Sequence, residues 1–234
     1  MNTTRDRLIA LGLVALVLSI LPAFPAGGGT FIDQDTIDIW GRKQGLVLYY
    51  SKGRLRIDQK DGRLSTIMNF AENRIVVLDH LSKSYVEYPL SRWKRRVSQR
   101  MKGTGSYQRR EVRVEPTGQE KVINGFRTRR IRVMIGGVLF QESWVTRDVE
   151  LGDMLRAIRK GAGTPSGLSK AQMEEKEEIY EKVSQWGFPI LTVEYRILSG
   201  KTLTETTEVN AIATRKLGNR LFTPPKGYTR RSSR

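Results

Sequence analysis

Residues 119–146 read QEKVINGFRTRRIRVMIGGVLFQESWVT, and the reading of this stretch decides the fold. Asn124-Gly125 predicts a short hairpin turn, because Asn and Gly tolerate the positive φ that such loops require. Beyond it Ile131, Val133 and Ile135 alternate with Arg130, Arg132 and Met134, the two-residue period of a half-buried strand. Gly136-Gly137 predicts a second turn, after which Leu139 to Val145 continues extended. Two hairpins in series make an antiparallel meander with one dry face and one charged face.

The same pattern runs upstream. The chain becomes extended at Phe31, and Leu46 to Tyr50 follows. Leu55 and Ile57 then alternate with Arg54, Arg56 and Asp58. Turns are expected at Lys52-Gly53, Asp61-Gly62, 71–73 and 80–83, between short strands at Leu64–Phe70, Arg74–Asp79 and Ser84–Tyr88. A further strand over Glu111–Glu115 leads into the central hairpins. Strands this short and this regular indicate a sandwich, a barrel or a partial barrel. Downstream, Leu191, Val193, Tyr195 and Ile197 alternate with Thr192, Glu194 and Arg196, Ser199-Gly200-Lys201 turns the chain, and Leu203 to Ile212 returns. On both of these strands the threonines and glutamates are expected on the wet side.

Three helices interrupt the strands. Leu90, Trp93, Val97 and Met101 recur at spacings of three and four, with Arg92, Lys94, Arg95, Arg96 and Arg100 on the other face. Leu151, Met154, Leu155 and Ile158 mark a short second helix. The third opens at Ser169, where Gln172 completes a capping-box pattern, and runs to about Trp186. Its Glu174, Glu175, Glu177 and Glu178 are expected to face water. The end, Leu221 to Tyr228, reads as an extended tie-down, and 229–234 as a basic disordered tail.

The first segment stands apart. Arg5 and Arg7 precede an apolar run of 14 residues from Leu8 to Leu21, followed by Pro22 and small residues up to Ala26. This is the layout of a signal peptide over residues 1–26, cleaved near Ala26; the run is shorter than the ~18 residues of a spanning helix. An uncleaved inner-membrane anchor is the alternative. Residues 27–228 then form a single domain in the periplasm. The formal charge is +17, and +16 once Arg5, Asp6 and Arg7 are gone. In an exported protein the counterpart of that charge is an anionic membrane surface or an acidic envelope protein rather than nucleic acid.

Catalytic chemistry is thinly represented. The chain has no cysteine, which removes disulfides, thiolate nucleophiles and thiolate metal sites together. Its one histidine, His80, sits beside a turn, and no G-x-S-x-G elbow accompanies it. Asp33, Asp35 and Asp38 lack the spacing of a calcium loop. The 161–167 loop, GAGTPSG, lacks the Lys-Ser/Thr of a phosphate cradle. No metal and no cofactor is expected, and an enzyme would have to work with carboxylates alone.

The order of elements, together with Glu120–Arg132 (EKVINGFRTRRIR), Glu142–Asp148 (ESWVTRD), Gly187-Phe188-Pro189-Ile190 and Pro224-Pro225-Lys226-Gly227-Tyr228, resembles the LolA/LolB-like periplasmic lipoprotein-carrier superfamily. More narrowly, it looks like a branch of unknown function within that group. The resemblance covers about residues 31–228. It implies an α+β fold, mainly antiparallel: a curved, unclosed half-barrel whose concave face is covered by helices. It also implies an apolar hollow that receives acyl chains. Leu55, Ile57, Ile131, Val133, Ile135, Leu191, Val193 and Tyr195 would line that hollow, with Trp93 and Val97 in its lid. Arg92, Lys94, Arg95, Arg96 and Arg100 would meet an anionic surface. The function expected is non-enzymatic binding of lipid or lipoprotein acyl chains. The competing reading is a structural or adaptor protein docked through its basic face.

Overall fold

The paired turn residues forecast above are the joints of the sheet. In the computed structural model, Lys52-Gly53, Asn124-Gly125, Gly136-Gly137 and Ser199-Gly200 all take positive φ at both positions, the conformation that reverses a strand in two residues. The structure describes residues 28–92, 108–149, 151, 152, 154, 155, 157 and 170–232.

Six strands come first: β1 (Gly29–Ile37), β2 (Lys43–Ser51), β3 (Arg54–Gln59), β4 (Leu64–Asn69), β5 (Arg74–Asp79) and β6 (Ser84–Pro89). Three more follow as β7 (Val112–Ile123), β8 (Phe126–Ile135) and β9 (Val138–Thr146). Helix α1 (Lys170–Ser184) precedes β10 (Phe188–Leu198) and β11 (Lys201–Arg215), and a 3-10 turn (Asn219–Phe222) leads to β12 (Thr229–Arg230). All twelve strands join one sheet in the order β12-β6-β5-β4-β3-β2-β1-β11-β10-β9-β8-β7. Every pairing is antiparallel except β12 with β6. The first and last long strands, β1 and β11, pair with each other and so fuse two meanders into a single surface.

β7 and β12 remain as free edges, so the sheet is curved but not closed. The curl is visible in one contact. Asn124, at the tip of the β7–β8 hairpin, donates from Nδ2 to the Val209 carbonyl at 2.9 Å and to Glu208 Oε1 at 2.9 Å. Laid flat, β8 and β11 would stand three strand spacings apart, roughly 14 Å. Bulges at Pro116/Glu120 and Val133/Met134 supply the bend. Because of the first, the expected strand over Glu111–Glu115 and the QEKVI segment form one long strand.

Three apolar clusters hold the sheet. The main core gathers Ile32, Leu48, Leu55, Ile57, Met68 and Ile75 with Phe188, Ile190 and Val209. A second packs Val112, Ile131, Val133 and Val145 beneath Ile179 and Val183 of α1 and Trp186 just beyond it. The third lies on the opposite side of β4 and β5, where Ile67, Val76 and Leu78 meet Phe222, Leu217, Leu221 and Tyr228. The C-terminal arm therefore covers a face that the alternation pattern leaves wet, and all six residues of β4 are buried.

The tail corrects one expectation. Disorder from Thr229 onward does not hold for Thr229 and Arg230, which run parallel to β6. Thr229 N–H donates to the Lys83 carbonyl at 3.0 Å and Arg231 N–H to that of Tyr85 at 2.8 Å. An unpaired β6 edge, with its row of free backbone groups, attracts the nearest extended segment.

Candidate functional site

The covered face of the sheet is where the expected ligand-binding residues were placed, and it divides into zones of different chemistry. On β1–β6 it is apolar. Ile32, Leu48, Ile57, Thr66 and Val77 form one cross-strand row, and Leu55, Met68, Ile75 and Tyr88 the next. Leu55 and Ile57 are buried here, as the alternation requires. Over this zone lie Leu90, Val149, Leu151, Met154 and Leu155, side chains that come from the connections after β6 and β9 and not from any strand. One polar atom faces the zone without a partner: Thr66 Oγ1, between Ile57 and Val77. Leaving a buried hydroxyl unpaired costs about 1–3 kcal/mol.

Next to it the same face turns polar. Ser143 on β9 is opposite Thr192 on β10, Thr192 opposite Thr207 on β11, and Thr207 opposite Thr36 on β1. Hydroxyl pairs join Ser143 to Thr192 at 3.1 Å and Thr36 to Thr207 at 3.0 Å, and Gln141 donates to Ser143 at 2.7 Å. The adjacent row places Glu194 opposite Glu205. Both carboxylates are buried, and Arg196 reaches them at 3.3 and 3.5 Å. Burial pushes the Glu194 carboxyl up, against the pull of Arg196. Burial likewise lowers Lys176 on α1, which feels Glu194 and Arg196 across the gap.

This seam corrects the reading of β10 and β11. Thr192, Glu194, Glu205 and Thr207 are on the covered side, while Leu191, Val193 and Tyr195 are only half-buried. The cause is an irregularity at Pro189/Leu191 that inserts Ile190 as an extra residue. A one-residue slip exchanges the two faces of a strand. Phe188 and Ile190 carry the apolar contacts expected of Leu191 and Val193, although Leu191 still touches the main core.

Ile131 and Val133 are fully buried in the second cluster, against α1, and Ile135 is buried beyond them. They do not share a surface with Leu55 and Ile57; the polar seam lies between. Helix α1 also departs from a water-facing row of glutamates, since Glu175 is buried and accepts from Arg110 Nη2 at 2.9 Å. Glu178 accepts from Arg109 at 2.7 Å and pairs with Lys182.

On the other side of β8–β10, Glu142 accepts hydrogen bonds from Arg130, from Arg132 Nε at 2.9 Å and from the Tyr195 hydroxyl at 2.8 Å. Lys121 stands 4.2 Å above the neighbouring Trp144 ring. Burial alone would raise the Glu142 carboxyl, but the bonds from Arg130, Arg132 and Tyr195 outweigh it and hold the group at about 2. A carboxylate depressed in the folded state stabilises above its unfolded value, 4.5, and that contribution is lost as pH falls toward about 2. With screening, it should amount to about 1–2 kcal/mol. Glu194 has the opposite sign: its raised carboxyl favours folding at low pH and disfavours it as pH rises above the unfolded value. Urea titrations over pH 2–7 should therefore show Glu142→Gln flattening the acid limb, and Glu194→Gln stabilising the neutral one.

Trp93, Val97, Lys94, Arg95, Arg96 and Arg100 fall outside the described residues. Arg92 is described, among the helical residues 90–92 that follow β6. His80 bridges Ser65, 2.6 Å from Nε2, and Tyr228, 2.7 Å from Nδ1, and so fastens the C-terminal arm. Asp33 and Asp35 both pair with Lys60, and Asp35 also pairs with Lys43. Among the described residues no group of three or more His, Asp or Glu side chains could hold a metal ion. No described helix is long and apolar enough to cross a membrane.

The chain matches a family described as a domain of unknown function (DUF4412) over residues 39–228. Solved structures similar to it include an uncharacterized conserved protein from Thermus thermophilus, at 12% identity and a TM-score of 0.46, over 96% of this chain and 98% of that one. MucB is similar at 10% identity and a TM-score of 0.44, over 93% of this chain and 62% of MucB. A LolA superfamily protein from Nitrosomonas europaea is similar at 10% identity and a TM-score of 0.34, over 91% of this chain and 97% of that one. The chain spans 31% of the length of PNGF-II, another similar structure, at 13% identity and a TM-score of 0.36. No curated protein matches the chain.

Proposed function

The chain belongs to the DUF4412 family, and from that footing we propose that it is an exported, non-enzymatic binding protein for the acyl chains of lipids or lipoproteins. The observation that carries the reading is the origin of the roof over the main core. Leu90, Val149, Leu151, Met154 and Leu155 come from connections, so displacing them would leave every strand pairing intact. Leu55 and Ile57 are almost inaccessible beneath them, which makes uptake a displacement of the roof by hydrocarbon. In this reading the unpartnered Thr66 hydroxyl donates to an ester or amide carbonyl on the guest. Trp93 and Val97 complete the lid in this reading. Ile131 and Val133 pack against α1, and residues 1–26 are the signal peptide that delivers the protein to the periplasm.

The test is extraction and titration. Lipid mass spectrometry of protein purified from the cell envelope should find acylated species at near-stoichiometric yield. Titration of the delipidated protein with saturated fatty acids should tighten with length, by at most about fourfold per methylene. Binding should change little with salt. If no lipid is recovered and affinity ignores chain length, the acyl-binding reading is wrong. Binding to envelope that collapses with salt would instead favour docking through the basic face.

A further inference from the structure

Exposed large apolar side chains are unremarkable when scattered singly, but here they gather at one rim. The registers fix that rim. Ile37 opposite Lys43, Asp58 opposite Ser65, Asp79 opposite Ser84, Ile135 opposite Val138 and Leu198 opposite Lys201 put five hairpin turns at the same end of the sheet. Trp40 and Ile197 are each 67% exposed there, with Ile37, Leu198 and Val138 beside them on adjacent strands and Leu81 farther along. Among the described residues, Val122 is the one exposed large apolar side chain near the opposite end.

The β10–β11 hairpin also overhangs its neighbours. The last partner of β10 on β9 is Gln141, opposite Glu194, and the last partner of β11 on β1 is Ile37, opposite Thr206. From there the hairpin continues with its strands paired only to each other, for roughly 13 Å. A two-stranded ribbon is marginal in water, and this one ends in Ile197, Leu198 and the exposed Lys201. Arg42, in the neighbouring β1–β2 turn, and Lys43, the first residue of β2, keep most of their side-chain surface open to solvent while pairing with Asp38 and Asp35.

We propose that this rim is a membrane-docking surface, in which Trp40 and the Ile197-Leu198 tip enter the interfacial layer of an anionic bilayer. Lys201, Arg42 and Lys43 then lie at headgroup depth. Apolar and aromatic tips ringed by Lys and Arg are the composition that partitions into such an interface. Charge selects the occupant. Pairing two copies of a chain with a formal charge of +17 opposes like fields, whereas an anionic bilayer gains from them. The surface is separate from the roofed core, and a chain that takes up no acyl guest would still dock.

Flotation of the purified protein with vesicles of phosphatidylglycerol and phosphatidylethanolamine tests it. The protein should float with these vesicles and far less with phosphatidylcholine alone. Ile197→Ser combined with Leu198→Ser should weaken partitioning about tenfold or more, with an unchanged thermal midpoint because both side chains are already exposed. Brominated acyl chains should quench a component of the tryptophan emission that Trp40→Phe removes. A parent protein that stays unbound overturns the proposal, as does a double variant that binds as well as the parent. It is equally overturned if the double substitution abolishes a dimer while neither form binds vesicles, since the rim then serves a second copy.

Discussion

Gly187→Ala should lower stability by about 4 kcal/mol or more, read as a collapse of the urea midpoint or as failure to recover folded protein. Gly187 sits at φ +143, a region essentially closed to residues with a side chain. A Cβ built there would stand 2.4 Å from the Thr146 carbonyl oxygen, 2.8 Å from its carbon and 3.2 Å from its nitrogen. All three are backbone atoms of β9, already held in the ladder with β10, so no flexible side chain can yield. The neighbours on each side add to the cost. Val183, four residues back, anchors α1 in the second cluster, and Phe188, one residue on, is fully buried in the main core. Any shift that frees the methyl disturbs both. Gly218→Ala is the control. It has ordinary φ and open space around the site, so it should be neutral or slightly stabilising.

The turns were legible because each rests on two or three residues with a local reason to adopt positive φ, and no distant contact overrides them. Asn73 and Lys83, in the turns expected at 71–73 and 80–83, conform as well. The phase of β10 was not legible. Leu191-Thr192-Val193-Glu194-Tyr195 alternates cleanly, and nothing local indicates that Ile190 is an extra residue beside β9. What decides the phase is the set of partners waiting on the covered face: Ser143 for Thr192, Thr36 for Thr207, and Arg196 between Glu194 and Glu205. A strand can bury its polar side when neighbouring strands satisfy it, and for the hydroxyls that information lies some fifty to one hundred and seventy residues away. Glu175 is hidden for the same reason, its partner Arg110 being 65 residues distant. The likeness of one covered face to another in alternation also merged Ile131 and Val133 with Leu55 and Ile57, which the polar seam keeps apart.

Phe222→Ala should cost about 3–5 kcal/mol, the usual range for emptying a buried aromatic site. The number understates the consequence, because Phe222 is the deepest point of the C-terminal arm. It is 3% exposed among Ile67, Val76 and Leu78, and the Arg54 guanidinium lies 4.7 Å from its ring. Around it the arm is held by polar contacts that depend on its position: Arg56 Nη1 to the Leu221 carbonyl at 2.9 Å, Arg54 to Asn219 at 3.0 Å, and His80 to Tyr228. Hydrogen bonds of this kind contribute about 1 kcal/mol each, so they should not hold the arm once its apolar anchor is gone. Release would bare the third cluster on β4 and β5 and leave β6 as an unpaired edge, both of which promote aggregation. Limited proteolysis separates the two levels of effect. If the arm detaches locally, cleavage near 217–228 should accelerate well before the urea transition of the sheet. A single shifted transition with no early cleavage would mean that arm and sheet unfold as one unit. In that case the arm belongs to the core, and the covered outer face of β4 and β5 is as integral to the fold as the face beneath the roof.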